Sequence, residues 1–338
     1  DAANYPFCTI EPNVGRVLVP DLRLDEIAVL AGSAKVTPAN LKFIDVAGLV
    51  QGASAGEGLG NQFLGHIRGV DAIAHVVRCF GGSEISHNDG TVDPVADVQI
   101  VEAELMLADL ESLERRRDAI TRKERRGDKD ARALLDVIGV AEASLAEGCP
   151  VRSISPDLPT SHLLASLELL SAKPVMYVCN VDEPAMIDGN SYSRTLQVYA
   201  DSRNAACVVT SARIEAEIAA IEEASERSDF LKTLGLAESG LARVISSGYS
   251  LLGLVTFFTA GPKEARAWTL RRGSTAVEAA AKVHSDFARG FIRAETISYV
   301  DYISLGGETG ARESGRLRQE GRDYLVDDGD VILFRFNV

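Results

Sequence analysis

The chain has 338 residues, of which 46% are hydrophobic and 25% charged, and a formal net charge of −14 at pH 7. That length suits two or three domains of ordinary globular composition, and the acidity argues against wholesale wrapping of nucleic acid, so no DNA partner is expected. No apolar run is long enough to span a bilayer, and no basic region followed by an apolar stretch opens the chain; no membrane partner and a cytoplasmic location are expected.

β-branched apolar runs predict strands at Val17–Val19, Leu41–Val46, Ile73–Phe80, Val175–Cys179 and Ala205–Thr210, with helix-like segments between them. The alternation predicts an α/β fold with a mostly parallel sheet buried on both faces. Cys8, Cys79, Cys149, Cys179 and Cys207 show no paired short spacing, which reads as reduced thiols and no zinc site.

Polar clusters stand at the C-terminal ends of three of these strands. Leu41–Val46 runs into Asp45-Val46-Ala47-Gly48, Val175–Cys179 into Asn180-Val181-Asp182-Glu183, and Ala205–Thr210 into Ser211-Ala212. Ligands of open α/β sheets bind beyond those ends, so the three clusters are expected on one rim of one sheet. Singly each is weak. In this order they match a P-loop NTPase of the GTPase type. There Asp-x-x-Gly serves Mg²⁺ and the γ-phosphate, Asn-Lys-x-Asp reads the base, and a Ser-Ala turn supports it. Residues 45–60 then read as a switch loop, whose glycines permit rearrangement.

A closer resemblance rests on "NYPFCTIEPNVG" (4–15), "DVAGLVQGASAGEGLGNQFLGHIR" (45–68), "DAIAHVVRCF" (71–80), "FTAGPKEARAWTL" (258–270) and "DYLVDDGDVILFRFNV" (323–338). These segments resemble the YchF family, the Obg-like ATPases of the TRAFAC class of P-loop NTPases. The resemblance implies an ATPase acting as a nucleotide-dependent switch, with ATP as substrate, Mg²⁺ as cofactor, and the ribosome or RNA as partner. Thr9 matches the switch threonine that reaches Mg²⁺ and γ-phosphate, and Asp45 would hold the ion through water. Beside Thr9, Cys8 reads as a small buried hydrophobe.

A P-loop NTPase needs Gly-x-x-x-x-Gly-Lys-Ser/Thr. The nearest match, "GARESGRL" (310–317), has Arg316 in place of Lys and Leu317 in place of the hydroxyl, and is rejected. Family members carry the motif upstream of the segment corresponding to Asn4, so it is expected upstream of Asp1 in the intact protein. The chain from Asp1 alone is expected to bind nucleotide poorly.

The base reader departs from the guanine pattern. Apolar Val181 replaces Lys and the longer Glu183 replaces Asp. A carboxylate in that clamp accepts from guanine N1–H and N2–H₂; altering it makes adenine plausible. Asn180 carries both a donor and an acceptor, matching adenine N6–H and N7. A variant GTPase remains the alternative.

Hydrolysis needs an oriented water, and Leu49 stands where Ras-type enzymes have Gln. The resemblance places a catalytic histidine at His87, in the glycine-rich "GGSEISHNDG"; a solvated loop histidine is the competing reading. His66 and His75 are expected to pack in a helix and a strand.

More than ninety residues separate the strand ending at Phe80 from that starting at Val175, where a crossover needs about a dozen. Helical spacing at Leu105, Ala108, Leu113 and Ile120, then Ala131, Leu134, Leu135 and Ile138, predicts an αα-hairpin broken at Gly127. Its tip, taken as Arg115–Arg132, holds nine basic and four acidic residues, a local charge of +5. That patch either meets RNA phosphates or is a solvated face. Residues 253–338 resemble a TGS domain, a β-grasp module, with a hairpin from "LVTFFTA" and "ARAWTL", a helix, and a closing hairpin around "DDGD". The expected domains are 1–100 with 174–252 for nucleotide binding, 101–173 as an inserted helical arm, and 253–338 as TGS. The other functional class left open is a non-hydrolysing, nucleotide-dependent ribosome- or protein-binding module, which Leu49 and the P-loop not found from Asp1 onward both favour.

Overall fold

A computed structural model describes residues 13–46, 59–81, 92–155 and 158–337. Along the chain come β1 (Asn13–Leu18), α1 (Leu22–Ala31), β2 (Val36–Thr37), β3 (Asn40–Asp45), α2 (Leu59–Arg68), β4 (Ile73–Arg78), α3 (Pro94–Glu124), α4 (Lys129–Ala146) and α5 (Leu158–Ser166). They are followed by β5 (Val175–Asn180), α6 (Ser191–Ser202), β6 (Ala206–Thr210), α7 (Ala212–Ala220), α8 (Ala224–Thr233) and α9 (Gly240–Leu251). The rest is β7 (Leu254–Thr259), β8 (Ala265–Arg271), α10 (Ala276–Val283), α11 (Ser285–Arg289), β9 (Phe291–Ser298), α12 (Tyr299–Ser304), α13 (Glu308–Glu313), β10 (Arg318–Glu320) and β11 (Asp330–Phe336). Two compact units result: one includes Ile44–Val244, the other joins Gly15–Phe43 to Ile245–Val338.

In the first unit β4, β5 and β6 form a parallel sheet in that order. Val175 to Cys179 on β5 are all buried, which is why this strand reads as an unbroken apolar run. Val175, Tyr177 and Cys179 pack with Val77, Val98 of α3, and Leu196 and Ala200 of α6. The sequence predicts β3 in the same sheet. Instead β3 pairs with β1 in a separate two-stranded sheet, and its Leu41 and Phe43 pack into the core of the second unit.

The helical insertion starts earlier than periodicity alone indicates. Asp93 accepts from the N–H groups of Val95 and Ala96, and Pro94 takes the first helical position, where its missing N–H costs nothing. Leu105 and Ala108 pack with Leu64 and Ile67 of α2 and with Leu170. Farther along, Leu113 of α3 meets Val137, Ile138, Ala141 and Leu145 of α4. Gly127 turns the chain at φ +89°, a left-handed conformation that side chains resist, and Asp128 caps α4.

The second unit is built on a six-stranded sheet in the order β10-β9-β11-β7-β8-β2. One face packs Phe257, Ile332 and Phe334 with Ala276, Ala279 and Ala280 of α10. The other packs Phe258, Ala265, Ala267, Ile297 and Val331 with Leu24, Ile27 and Ala28 of α1, Ile245 of α9 and Tyr302 of α12. Residues 15–43 therefore fall with the C-terminal segment and not with the nucleotide-binding segments to which the sequence assigns them. Their α1 covers a sheet face, and Val36 and Thr37 of β2 extend the sheet beside Ala265 and Arg266. Arg23 fastens α1 by ion pairs to Asp21 at 2.8 Å and Asp328 at 2.7 Å. The β7–β8 hairpin forms as predicted. The closing hairpin does not: β10 and β11 both pair with β9, which lies between them.

Candidate nucleotide-binding site

Parallel strands end in register at Arg78, Asn180 and Thr210, so these three residues form a row across β4, β5 and β6. The Asn180 carbonyl accepts from Cys79 N–H, and the Thr210 carbonyl from Val181 N–H, each at 2.8 Å. The ladder thus continues one residue past the strands and fixes the backbone that carries the motif.

Ala212 N–H donates to Asn180 Oδ1 at 3.0 Å. An N–H can meet only the amide oxygen, so this bond fixes which way the Asn180 amide faces. With one oxygen lone pair engaged, the amide keeps Nδ2 as a donor and the second lone pair of Oδ1 as an acceptor. The purine acceptor that Nδ2 suits is N7, which adenine and guanine share. The pairing with N6–H and N7 read from the sequence stays open, and only the N7 half of it is common to both purines.

Val181 is 2% exposed and packs with Ala185 in the sheet core. The position of the Lys in the guanine pattern is here an interior one. Glu183 is exposed, on a short turn at Glu183–Ala185. Ser211 is buried and precedes α7, whose first residue is Ala212. Asp45 is exposed at the end of β3, and among the described residues β3 is not paired with the β4–β5–β6 sheet that carries the other two clusters. Thr9, Gly48, Leu49 and His87 lie outside the described residues, as does Cys8.

Beside the row, the Arg78 guanidinium lies over the Phe80 ring at 4.9 Å, and its Nε donates to the Phe80 carbonyl at 3.1 Å. On the opposite face of β5, Cys179 Sγ and Cys207 Sγ are 3.3 Å apart. The hydrogen bond with Cys179, and then burial, push the Cys207 thiol up, away from the reactive thiolate. His75 packs near Tyr177, ring centroids 6.2 Å apart. Below it a buried carboxylate, Glu102 of α3, accepts from Tyr177 Oη at 2.8 Å and Tyr199 Oη at 3.0 Å and pairs with Arg152. This network ties α3 to β5 and α6. Sequence reasoning missed it, because a lone Glu on a helix carries no local signal of burial.

Along the helical arm, Arg116 Nη1 donates to the Leu167 carbonyl at 2.7 Å, and Arg117 pairs with Glu142. Helix α3 continues to Glu124, which places Arg115–Arg117 about 10 Å short of the turn at the helical rise. The exposed basic tip is thus Arg122, Lys123, Arg125, Arg126, Lys129 and Arg132, and two of the arginines assigned to it belong to the arm's own packing.

Residues 1–110 match the family model described as a 50S ribosome-binding GTPase. Residues 254–337 match the YchF-GTPase C-terminal model, described as a protein of unknown function (DUF933). The ribosome-binding ATPase YchF of Haemophilus ducreyi is 49% identical, covering 100% of this chain and 93% of that protein. The chain belongs to the YchF family. The YchF of Bacillus subtilis, also a ribosome-binding ATPase by name, is 48% identical over the same shares of each chain. The structure of the Schizosaccharomyces pombe YchF GTPase superposes with a TM-score of 0.85 at 33% identity, covering 98% of this chain and 90% of that one. As in that YchF structure, an α/β nucleotide-binding fold is combined with a C-terminal β domain. The rejected P-loop match at Gly310–Leu317 lies in this YchF chain's C-terminal unit, where Ala311 is buried in the core under α1.

Proposed function

We propose that this YchF-family protein is a nucleotide-dependent switch ATPase that hydrolyses ATP to ADP in the cytoplasm and works on the ribosome. The observation that carries the reading is the Asn180 amide, oriented by Ala212 at the end of a buried parallel strand and followed by an interior Val181. An apolar, buried side chain there removes the guanine pattern's Lys, and exposed Glu183 alters its carboxylate. Both changes loosen the hold on guanine. The similarity to proteins named ribosome-binding ATPases spans the whole chain.

Within this reading Asn180, Val181, Glu183, Ser211 and Ala212 form the base site, and Asp45, Gly48 and Leu49 the phosphate switch. Mg²⁺ neutralises developing charge on the β- and γ-phosphates when bound. The exposed Asp45 carboxylate offers the hard oxygen Mg²⁺ prefers, through water, and Thr9 adds a hydroxyl. Among the described residues no three ligating side chains converge. Mg²⁺ sites of this kind use one or two protein oxygens, water and substrate phosphates. Because Leu49 cannot hydrogen-bond a water, His87 is assigned to orient it. Residues 101–173 act as an arm whose basic tip contacts RNA phosphates, while 253–338 act as a TGS module. No described helix is long and apolar enough to cross a membrane.

Phosphate release by the full-length protein with MgATP or MgGTP, with and without ribosomes, tests the proposal. ATP turnover with tighter binding of ATP than GTP is expected. Equal or tighter GTP binding overturns the adenine reading. Nucleotide-dependent ribosome binding without phosphate release favours a non-hydrolysing module, the reading to which Leu49 points.

A further inference from the structure

We propose that Glu215 is a positioning residue for the base site: by clamping the first turn of α9 behind the Thr210–Ala212 turn, it holds the Asn180 amide in its purine-reading orientation. The proposal rests on Asn180 as the base reader.

One turn of α7 separates Ala212, which orients Asn180, from Glu215. The Glu215 carboxylate leaves α7 and accepts from Gly240 N–H at 2.7 Å and Leu241 N–H at 3.1 Å. These are donors at the start of α9 that the helix itself cannot satisfy, and a carboxylate there also meets the positive end of the helix dipole. The fit is tight. A Cβ placed on Gly240 would lie 2.1 Å from Thr210 Oγ1 and 2.9 Å from Glu215 Oε1. Only glycine lets α9 come this close. Thr210 Oγ1 is buried without a hydrogen-bond partner among the described residues, so this side chain is wedged rather than tethered. The Thr210 carbonyl meanwhile holds Val181 N–H. The turn is therefore trapped between the Asn180–Val181 segment in front and α9 behind, and Glu215 closes the trap.

Without the carboxylate, α9 has no fastening to α7 at this point and the turn is free to withdraw from Asn180. The amide then rotates and Nδ2 no longer faces N7. Purines are deprived of a hydrogen bond that pyrimidines never make.

The test is the dissociation constants of MgATP, MgGTP, MgCTP and MgUTP for the full-length protein and its variants. Glu215→Ala is expected to weaken ATP and GTP alike by roughly tenfold, the scale of one hydrogen bond to a positioned group, and to leave CTP and UTP unchanged. Asn180→Ala should show the same pattern, and the double variant should be no worse than either single one, because the two act in series. Glu215→Gln keeps one acceptor oxygen and should restore most purine affinity. Gly240→Ala, which drives a methyl group into Thr210, should reproduce the purine loss by another route. If Glu215→Ala unfolds the protein, the Gln and Gly240 variants decide alone. An equal loss for all four nucleotides makes Glu215 a merely structural residue and overturns the proposal. A purine loss in Asn180→Ala with none in the Glu215 and Gly240 variants also overturns it, leaving the base reading intact. No purine loss in any variant removes Asn180 as the reader, and the proposal with it.

Discussion

Asn180 and Ala212 are 32 residues apart in sequence and joined by one hydrogen bond of 3.0 Å. That bond converts a flexible amide into a fixed donor, and it makes a substitution at Asn180 informative. Asn180→Asp keeps an acceptor for Ala212 N–H but has no donor for N7. Purine nucleotide affinity should fall by tenfold or more, because one hydrogen bond to the base disappears and a negative charge takes its place. The unfolding midpoint should stay near that of the parent. Competitive nucleotide binding beside a denaturation curve checks both; retained affinity would show that N7 is read elsewhere.

Val181 and Glu183 separate stability from base choice. Val181 is 2% exposed, so Val181→Lys must bring an ammonium group through the sheet core or displace it, at about 1–3 kcal/mol. Glu183 is exposed, and Glu183→Asp should leave the urea midpoint unchanged. The double variant restores both elements of the guanine pattern, and the ratio of ATP to GTP affinity should move toward GTP. A ratio that does not move places base choice outside this motif.

His87→Ala should lower ATP turnover by roughly 10²–10³-fold, the range for a positioned acid, base or water-orienting group. ATP affinity should change little. Single-turnover phosphate release separates the two, and an unaltered rate removes His87 from the mechanism.

His75 sets a pH window for stability. Burial holds its imidazole below the ordinary value, against the opposing pull of Glu102 and Asp97. Below about pH 6.5 the unfolded chain takes up this proton while the folded protein resists it. The unfolded state then binds more protons, and stability falls as pH drops from 7 toward 5. His75→Phe keeps a ring beside Tyr177 and removes the titration. Urea midpoints at pH 7.5 and 5.0 should differ less in the variant than in the parent; an identical difference assigns the loss to other groups.

The basic tip is testable through salt. Arg122, Lys123, Arg125 and Arg126 are exposed at the end of α3 or in the turn after it, clear of the arm's core. Replacing them with Gln should weaken ribosome binding and flatten its dependence on salt concentration by about one unit of logarithmic slope for each phosphate no longer neutralised. Nucleotide binding should survive. Arg116 is a poor probe, because its hydrogen bond to Leu167 would be removed too. Unaltered affinity and slope would make the tip a solvated face.

Local signals in the sequence were reliable where the chain decides locally. The apolar run of β5, the Gly127 turn and the polar strand ends at Asn180 and Ser211 were all legible, because each depends on neighbours within a few residues. Partner choice over long distances was not. Nothing in the periodicity of Leu41 or Phe43 distinguishes packing beside β4 from packing under Phe258. Glu215 was hidden for a different reason. An acidic residue in the first turn of a helix is the ordinary complement to the helix dipole, so its sequence context is explained before its bonds to α9 are known. Gly240 carries no signal until a Cβ is placed on it.

The second unit's sheet is stitched from two stretches of chain that are made at very different times. Ser33 Oγ donates to the Gly261 carbonyl at 2.8 Å across 228 residues of sequence, and β2 lies beside β8. At about 5–20 residues per second, the nascent α1 and β2 wait about 10–50 s for the strands they join. Throughout that interval Leu24 and Ile27, both sheltered in the finished protein, have no sheet to cover. The first unit can be completed first, since Ile44–Val244 contains its own three-stranded sheet. The C-terminal module is therefore expected to reach its finished packing only with this earlier segment, although five of the sheet's six strands are its own. It closes only by recapturing a segment translated long before it, and a fragment beginning at Ile245 would present Phe258, Ala265 and Ile297 to water as an open, aggregation-prone face.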